Sequence, residues 1–144
     1  MAEQSYANHG RLVPGFHFVL AALILLTLIG SLVNLWLSIN NHNRLYNAAL
    51  IVVLTVIAVF LFIYCRTFPL KAQDRAIRAE ENLRHFAITG KLLDPRLTVR
   101  QIVGLRFASD QEFPALAQKA ADEGLSEDAI KRAVKNWRAD TYRA

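Results

Sequence analysis

FHFVLAALILLTLIGSLVNLWL, residues 16–37, contains no Asp, Glu, Lys or Arg in 22 positions. At ~1.5 Å per residue, a helix of that length reaches ~33 Å, enough to cross a hydrocarbon core ~30 Å thick. A second stretch, AALIVVLTVIAVFLFIYC, residues 48–65, is equally free of charge over 18 positions. Between Leu12 and Cys65 the only formal charge is Arg44. Residues 66–144 then carry 15 of the 17 Lys and Arg and 11 of the 12 acids. A soluble core protein mixes charge along its length. Two long uncharged runs in a chain of 144 residues cannot both be buried in a head this small.

The first run is too long for the apolar core of a signal peptide. Ser38-Ile-Asn-Asn-His-Asn43 follows it and offers no small-x-small cleavage site, so an uncleaved anchor is expected. The expected fold is all-α: a two-helix transmembrane hairpin followed by a small cytoplasmic helical domain. Its segments are an N-terminal cytoplasmic segment (1–15), transmembrane helix 1 (16–37), an external loop (38–47), transmembrane helix 2 (48–65), a juxtamembrane helix (66–90) and a helical head (91–144).

Orientation follows the basic flanks. Arg66, Lys71, Arg75 and Arg78 crowd the end of the second run, the loop has Arg44 alone, and Arg11 is set against Glu3 before the first. Both termini are therefore expected in the cytoplasm. Trp36, Tyr46 and Tyr64 fall where an aromatic belt would sit. Lys71, Arg75 and Arg78 share one side of a helix, where they can rest on anionic headgroups. Helices in lipid associate through small and hydrogen-bonding residues. Thr27, Gly30, Ser31, Asn34 and Ser38 in the first run, with Ala48, Thr55, Ala58 and Cys65 in the second, are the expected packing positions.

Past the second run, Pro69 predicts a break near Phe68 and a new helix over 70–89. Its apolar positions Ala72, Ala76, Ala79, Leu83 and Phe86 form a helical stripe. Asp74 with Arg78, and Glu80 with Arg84, stand four apart as ion pairs. Gly90 is the expected cap. Thr98-Val-Arg-Gln101 and Ser109-Asp-Gln-Glu112 match the capping box, and Ser126 with Glu127 and Asp128 starts a last helix. That helix is expected to present Ile130, Val134 and Trp137 on one face.

No phosphate-binding glycine loop, His-x-x-x-His, cysteine pair or Gly-x-Ser-x-Gly occurs. Cys65 is the only cysteine, which excludes an intramolecular disulfide. Glu80 and Glu81 are helical neighbours that point apart, a poor geometry for shared acid–base work. The net charge of residues 66–144 is only +4, with acids interleaved, so nucleic acid is not an expected partner. Neither catalytic nor metal-binding residues are assigned, and no cofactor.

The segments Gln4-Ser-Tyr-Ala-Asn-His9, Pro14-Gly-Phe-His-Phe18, Arg78-Ala-Glu-Glu-Asn-Leu-Arg84, Arg96-Leu-Thr-Val-Arg-Gln-Ile102, Leu105-Arg-Phe-Ala-Ser-Asp110, Glu112-Phe-Pro114 and Asn136-Trp-Arg-Ala-Asp140 are distinctive. Through them nearly the whole chain resembles an uncharacterised bacterial family of short two-span membrane proteins, a domain of unknown function. The resemblance implies a bacterial inner-membrane protein and no activity.

The expected function is therefore non-enzymatic: an accessory subunit of a membrane complex, or a self-assembling membrane scaffold, acting through its head. Arg78, Arg84, Arg106, Trp137 and Arg138 are the expected contact residues, since Trp and Arg anchor interfaces. For Trp137 the competing role is to fill the core of the head itself. Two alternatives use other residues. An oligomeric channel or small transporter subunit would be lined by Thr27, Ser31 and Asn34. A cofactor-binding subunit would use His17, which lies near the inner interface.

Overall fold

The computed structural model describes residues 4–10 and 12–140. Arg11 and Glu3, invoked above for orientation, lie outside the described residues. The described residues are helical apart from turns and one isolated β-bridge, and they divide into two compact units. Residues 12–68 form one unit. Residues 4–10 and 69–140 form the other, called the head below.

In the apolar unit the chain enters at Pro14 and winds first as a π-helical segment, Gly15–Leu20. It continues as α1, Ala21–Ser38. A short turn, closed by the Asn41 N–H donating to the Ser38 carbonyl at 2.9 Å, leads into α2, His42–Thr89. The polar connection is thus shorter than the ten-residue loop expected, because His42 to Asn47 are already helical. Over their most apolar 18 residues, Gly15–Ser38 reaches a mean hydropathy of 2.5 and α2 a mean of 3.0.

Within this unit the side chains withdrawn from the surface recur four and three apart. Ile24, Leu28, Ser31, Leu35 and Ser38 lie on α1, with Leu45, Ala48, Val52 and Thr55 on α2. Phe16 stacks on Phe62 with ring centroids 4.4 Å apart. Small residues at the closest positions (Ser31, Ser38, Ala48 and Thr55, all buried) are what helices without a water-driven force between them require. The hydroxyls of Ser31 and Thr55 are satisfied within their own helices. Ser31 Oγ donates to the Leu28 carbonyl and Thr55 Oγ1 to the Ile51 carbonyl, both at 2.8 Å.

The break expected at Pro69 does not occur: α2 runs through it without interruption. Proline deletes one backbone donor and crowds the carbonyl four residues back, at a cost of ~3 kcal/mol. A helix already nucleated on both sides regains one bond for each further residue fixed, so it propagates across.

In the head, α3 (Val99–Leu105), α4 (Phe113–Glu123) and α5 (Glu127–Ala133) surround a core headed by the fully buried Leu105, Phe107, Phe113 and Ile130. Thr98 and Gln101 form the reciprocal capping box, and Ser126 Oγ accepts from the Ala129 N–H at 3.1 Å. Gly90 and Gly124 take positive φ at the ends of α2 and α4. Gly104 lets α3 lie against α5. A Cβ there would stand 3.0 Å from the Glu127 carbonyl and 3.3 Å from Ile130. Because α5 has only seven residues, its cap matters. Ser126→Ala is expected to lower head stability by ~1 kcal/mol, read as faster amide exchange across α5.

Two expectations for the head are corrected. Ser109 does not cap α4: the Glu112 carboxylate reaches back to the Ser109 N–H at 3.3 Å, but Ser109 Oγ is buried without a hydrogen bond. Glu112 is instead held by the Lys135 and Asn136 N–H groups at 3.2 and 3.1 Å, which tie α4 to the chain after α5. The last helix ends at Ala133 and not beyond Trp137. From Val134 the backbone is extended and pairs with residues 107–109, through Arg138 N–H to Phe107 O at 2.8 Å and Ser109 N–H to Asn136 O at 3.1 Å. The first satisfies the Arg138 donor and the second the Asn136 acceptor, groups that a longer helix would otherwise have bonded. The stripe Ala72, Ala76, Ala79, Leu83 and Phe86 lies on the open side of α2, with Ala76 at the edge of the head cleft. All five are exposed, and Ile77 and Glu81 are the buried residues of this part of α2.

Candidate functional site

The head concentrates its polar chemistry where α2 meets the chain segments at 106–110 and 137–140. Glu81 carries the arrangement. It is buried, and its carboxylate accepts from Arg84 at 2.8 Å through one oxygen and from Arg138 at 3.2 Å through the other. Helical spacing of three residues brings Arg84 beside Glu81. Arg84 then spends its remaining donors on Asp110 Oδ1 at 2.8 Å and the Ala108 carbonyl at 2.7 Å, with its guanidinium 4.4 Å above the Phe113 ring. Its expected partner Glu80 is not used. Nor do Asp74 and Arg78 form an ion pair among the described residues.

Arg106 is buried beside Phe107, its guanidinium 4.6 Å from the ring centre, and it pairs with Asp140 at 3.3 Å. A cleft of about 230 Å³ opens between these groups, bordered by Ile77, Glu80, Glu81, Arg106, Arg138 and Asp140. Its arginines face carboxylates, so the cleft is close to charge balance.

The structure therefore brings together four of the five expected contact residues. Arg84 and Arg106 are drawn into the interior of the head. Trp137 packs on Phe107 with ring centroids 4.8 Å apart and joins the hydrophobic core as a partly buried member. Arg138 is about half exposed, at 53%. Arg78 stands apart, exposed on α2 with Lys71 and Arg75. None of these three is in an ion pair among the described residues.

Sequence reasoning treated residues 1–15 as a separate segment, but residues 4–10 are docked on the head. The Tyr6 hydroxyl donates to Asp128 at 2.5 Å and accepts from Arg132 Nε at 3.2 Å. Arg132 also lies 5.2 Å from the Tyr6 ring centre. Gln4 Oε1 accepts from the Asp140 N–H at 2.7 Å. His9 sits against Phe107 and Trp137, at 5.8 and 5.9 Å between centroids. The aromatic and amide residues of Gln4-Ser-Tyr-Ala-Asn-His9 were the available signal.

A second clip holds the turn after α2 to the end of α4: Arg96 bonds Asp94 at 2.7 Å and Asp122 at 2.8 Å. Hydrogen bonds from Arg96 hold the Asp94 carboxyl below its ordinary range. Gln118 first, and then Arg96, do the same for Asp122.

The residues singled out in the apolar unit separate. Ser31 and Thr55 lie in the helix contact, and Thr27 and Ala58 border an apolar groove of about 360 Å³ beside it. Gly30, Asn34 and Cys65 are exposed. Thr27 Oγ1 is bonded within its own helix to Leu23 O at 2.8 Å. His17 Nδ1 lies 3.0 Å from the Val13 nitrogen and 3.1 Å from the Val13 oxygen, so the ring braces the start of the π-helical segment. Among the described residues no three His, Cys, Asp or Glu side chains converge as a metal site.

No curated protein and no solved structure matches the chain. A family model matches throughout, over residues 1–144, and the chain belongs to that family, a family of unknown function designated DUF6526.

Proposed function

We propose that this is a two-pass protein of the bacterial inner membrane whose helical head is a non-enzymatic interaction module on the cytoplasmic side. In that role it serves as an accessory subunit of a membrane complex or as a self-assembling scaffold. One observation carries the reading. Residues 4–10, which precede the first apolar helix, fold onto the head that follows the second, through Tyr6–Asp128, Gln4–Asp140 and His9–Phe107. If the apolar helices cross a bilayer, segments that touch must be on one side, so the number of crossings is even. Two helices of sufficient length and hydropathy supply that number. Their outward faces are apolar, with Leu26 66% and Leu54 64% exposed, as suits contact with lipid.

The basic flank sets the direction. Lys71, Arg75 and Arg78 are exposed and unpaired among the described residues, available to anionic headgroups, and the connecting turn has Arg44 alone. Around Glu81 and Arg106 the charged groups of the head are engaged with one another as structural ties, which suits an interaction module better than a reaction centre.

Topology provides the test. In a Cys65→Ser background, single cysteines at Asn41 and Asp122 are expected to react with a membrane-impermeant maleimide from opposite sides of sealed vesicles. Asn41 should react from the periplasmic side. Reaction of both from the same side would refute the hairpin.

A further inference from the structure

The uncovered face of α2 has the pattern of a helix seam. Ala72, Ala76, Ala79, Leu83 and Phe86 are spaced alternately four and three apart, the 3.5-residue period on which two helices wind together. Leu83 is 68% and Phe86 51% exposed, although each could have been a core residue. The head covers the other flank of the helix, through Ile77, Glu81, Arg84 and His85, and its cleft reaches Ala76 and Glu80 only at the edge of the seam.

Charge selects the partner. With Ala76 and Leu83 at a positions and Ala72, Ala79 and Phe86 at d, Arg75 falls at g and Glu80 at e. In a parallel pair, g of one helix faces e of the other five residues on. Arg75 would meet Glu80 of a second copy, and Glu80 would meet its Arg75. Neither residue has a hydrogen bond or ion pair among the described residues. Alanine at three of the five seam positions lets the helices approach closely.

We infer that α2 pairs in parallel with α2 of a second copy of this chain along residues 72–86, with Arg75 and Glu80 as reciprocal ion pairs. The inference deepens the scaffold reading and rests on it for the parallel sense: copies inserted the same way in one bilayer present α2 in the same direction. Confinement to the bilayer also raises the effective concentration of copies, so a seam of about two heptads suffices.

The test uses the full chain in native vesicles and in mild detergent. In a Cys65→Ser background, Ala79→Cys is expected to form a disulfide-linked dimer under mild oxidation, and Arg78→Cys, at the outward c position, is not. In detergent the particle mass should correspond to two chains. Arg75→Glu and Glu80→Arg should each weaken the dimer by about tenfold, since each sets two like-charged pairs, and the double exchange should restore it. Leu83→Asp should leave a folded monomer, because Leu83 supports no part of the head.

A monomer throughout, with α2 and head folded, would overturn the pairing while leaving the membrane anchor intact. Protection of Ala79→Cys from a soluble maleimide without disulfide formation would overturn it in favour of a lipid-facing stripe. Release of the protein from membranes by alkaline carbonate would refute the anchor. A two-chain mass and the charge-swap rescue in that released protein would still uphold the seam.

Discussion

Glu81→Ala is expected to destabilise the head by ~3–5 kcal/mol, because it strips the partner from an arginine that cannot easily return to water. The Arg84 side chain is only 12% exposed and Glu81 only 5%. With the carboxylate gone, Arg84 keeps Asp110 and the Ala108 carbonyl, but its Nη1 group loses the buried carboxylate that balances its charge. Arg138 loses less, since it is half exposed and water replaces the bond. A small domain has ~5–15 kcal/mol of stability in all, so the loss is a large share of it. Glu81→Gln preserves shape and one acceptor oxygen and should fall between wild type and alanine. Amide exchange over residues 98–138 of the intact chain measures both. Unchanged exchange in Glu81→Ala would mean that the network contributes nothing to folding.

That prediction depends on a part of the molecule that the sequence displayed poorly. Local signals were reliable where local physics decides the outcome. The Thr98 capping box, the Ser126 cap and Gly90 at the end of α2 each answer to backbone donors or dihedral angles within a few residues. The two apolar runs were equally plain, since uncharged stretches of that length have few alternatives. Beyond Pro69 the helical periodicity did not tell which face the head would cover. An apolar stripe normally marks the buried face. Here the buried face carries Ile77, Glu81 and Arg84, with charge compensated by ion pairs from elsewhere in the chain.

Long-range polar contacts left the weakest trace. Tyr6 meets Asp128 across 122 positions, and Gln4 meets Asp140 across 136. No spacing rule connects such pairs. Trp137 is a related case. Helical spacing from Ile130 and Val134 led to a helix face, whereas the residue reaches the core by an extended return of the backbone alongside Phe107. The expected packing residues of the apolar helices divided for a simpler reason. A helix contact selects one phase of the 3.6-residue period, and Ser31 and Thr55 lie in it while Gly30 and Asn34 do not.

Phe107→Ala is expected to have an effect of similar size and a different pattern. Phe107 is fully buried, and truncating a buried phenylalanine costs ~3–5 kcal/mol in lost burial and residual cavity. Several groups from separate parts of the chain meet on its ring: Trp137 at 4.8 Å, His9 at 5.8 Å, and the Arg106 guanidinium at 4.6 Å. The backbone pairing of residues 107–109 with 136–138 is built around the same side chain. Loss of the ring should therefore release the N-terminal segment and the C-terminal return together. The remaining ties of residues 4–10 are polar: Tyr6 with Asp128 and Arg132 at the surface, which contribute little alone, and Gln4 with Asp140, which belongs to the C-terminal return itself. Protection of amides in residues 4–10 and 134–138 should fall before that of α3 and α4, and a protease should cut near Gly10 sooner than in wild type. Phe107→Leu, which keeps most of the volume, should restore most of the protection. Tyr6→Phe should loosen residues 4–10 without disturbing Trp137. Equal loosening of both segments by Tyr6→Phe would mean that the phenol and not the Phe107 ring joins the two ends of the chain.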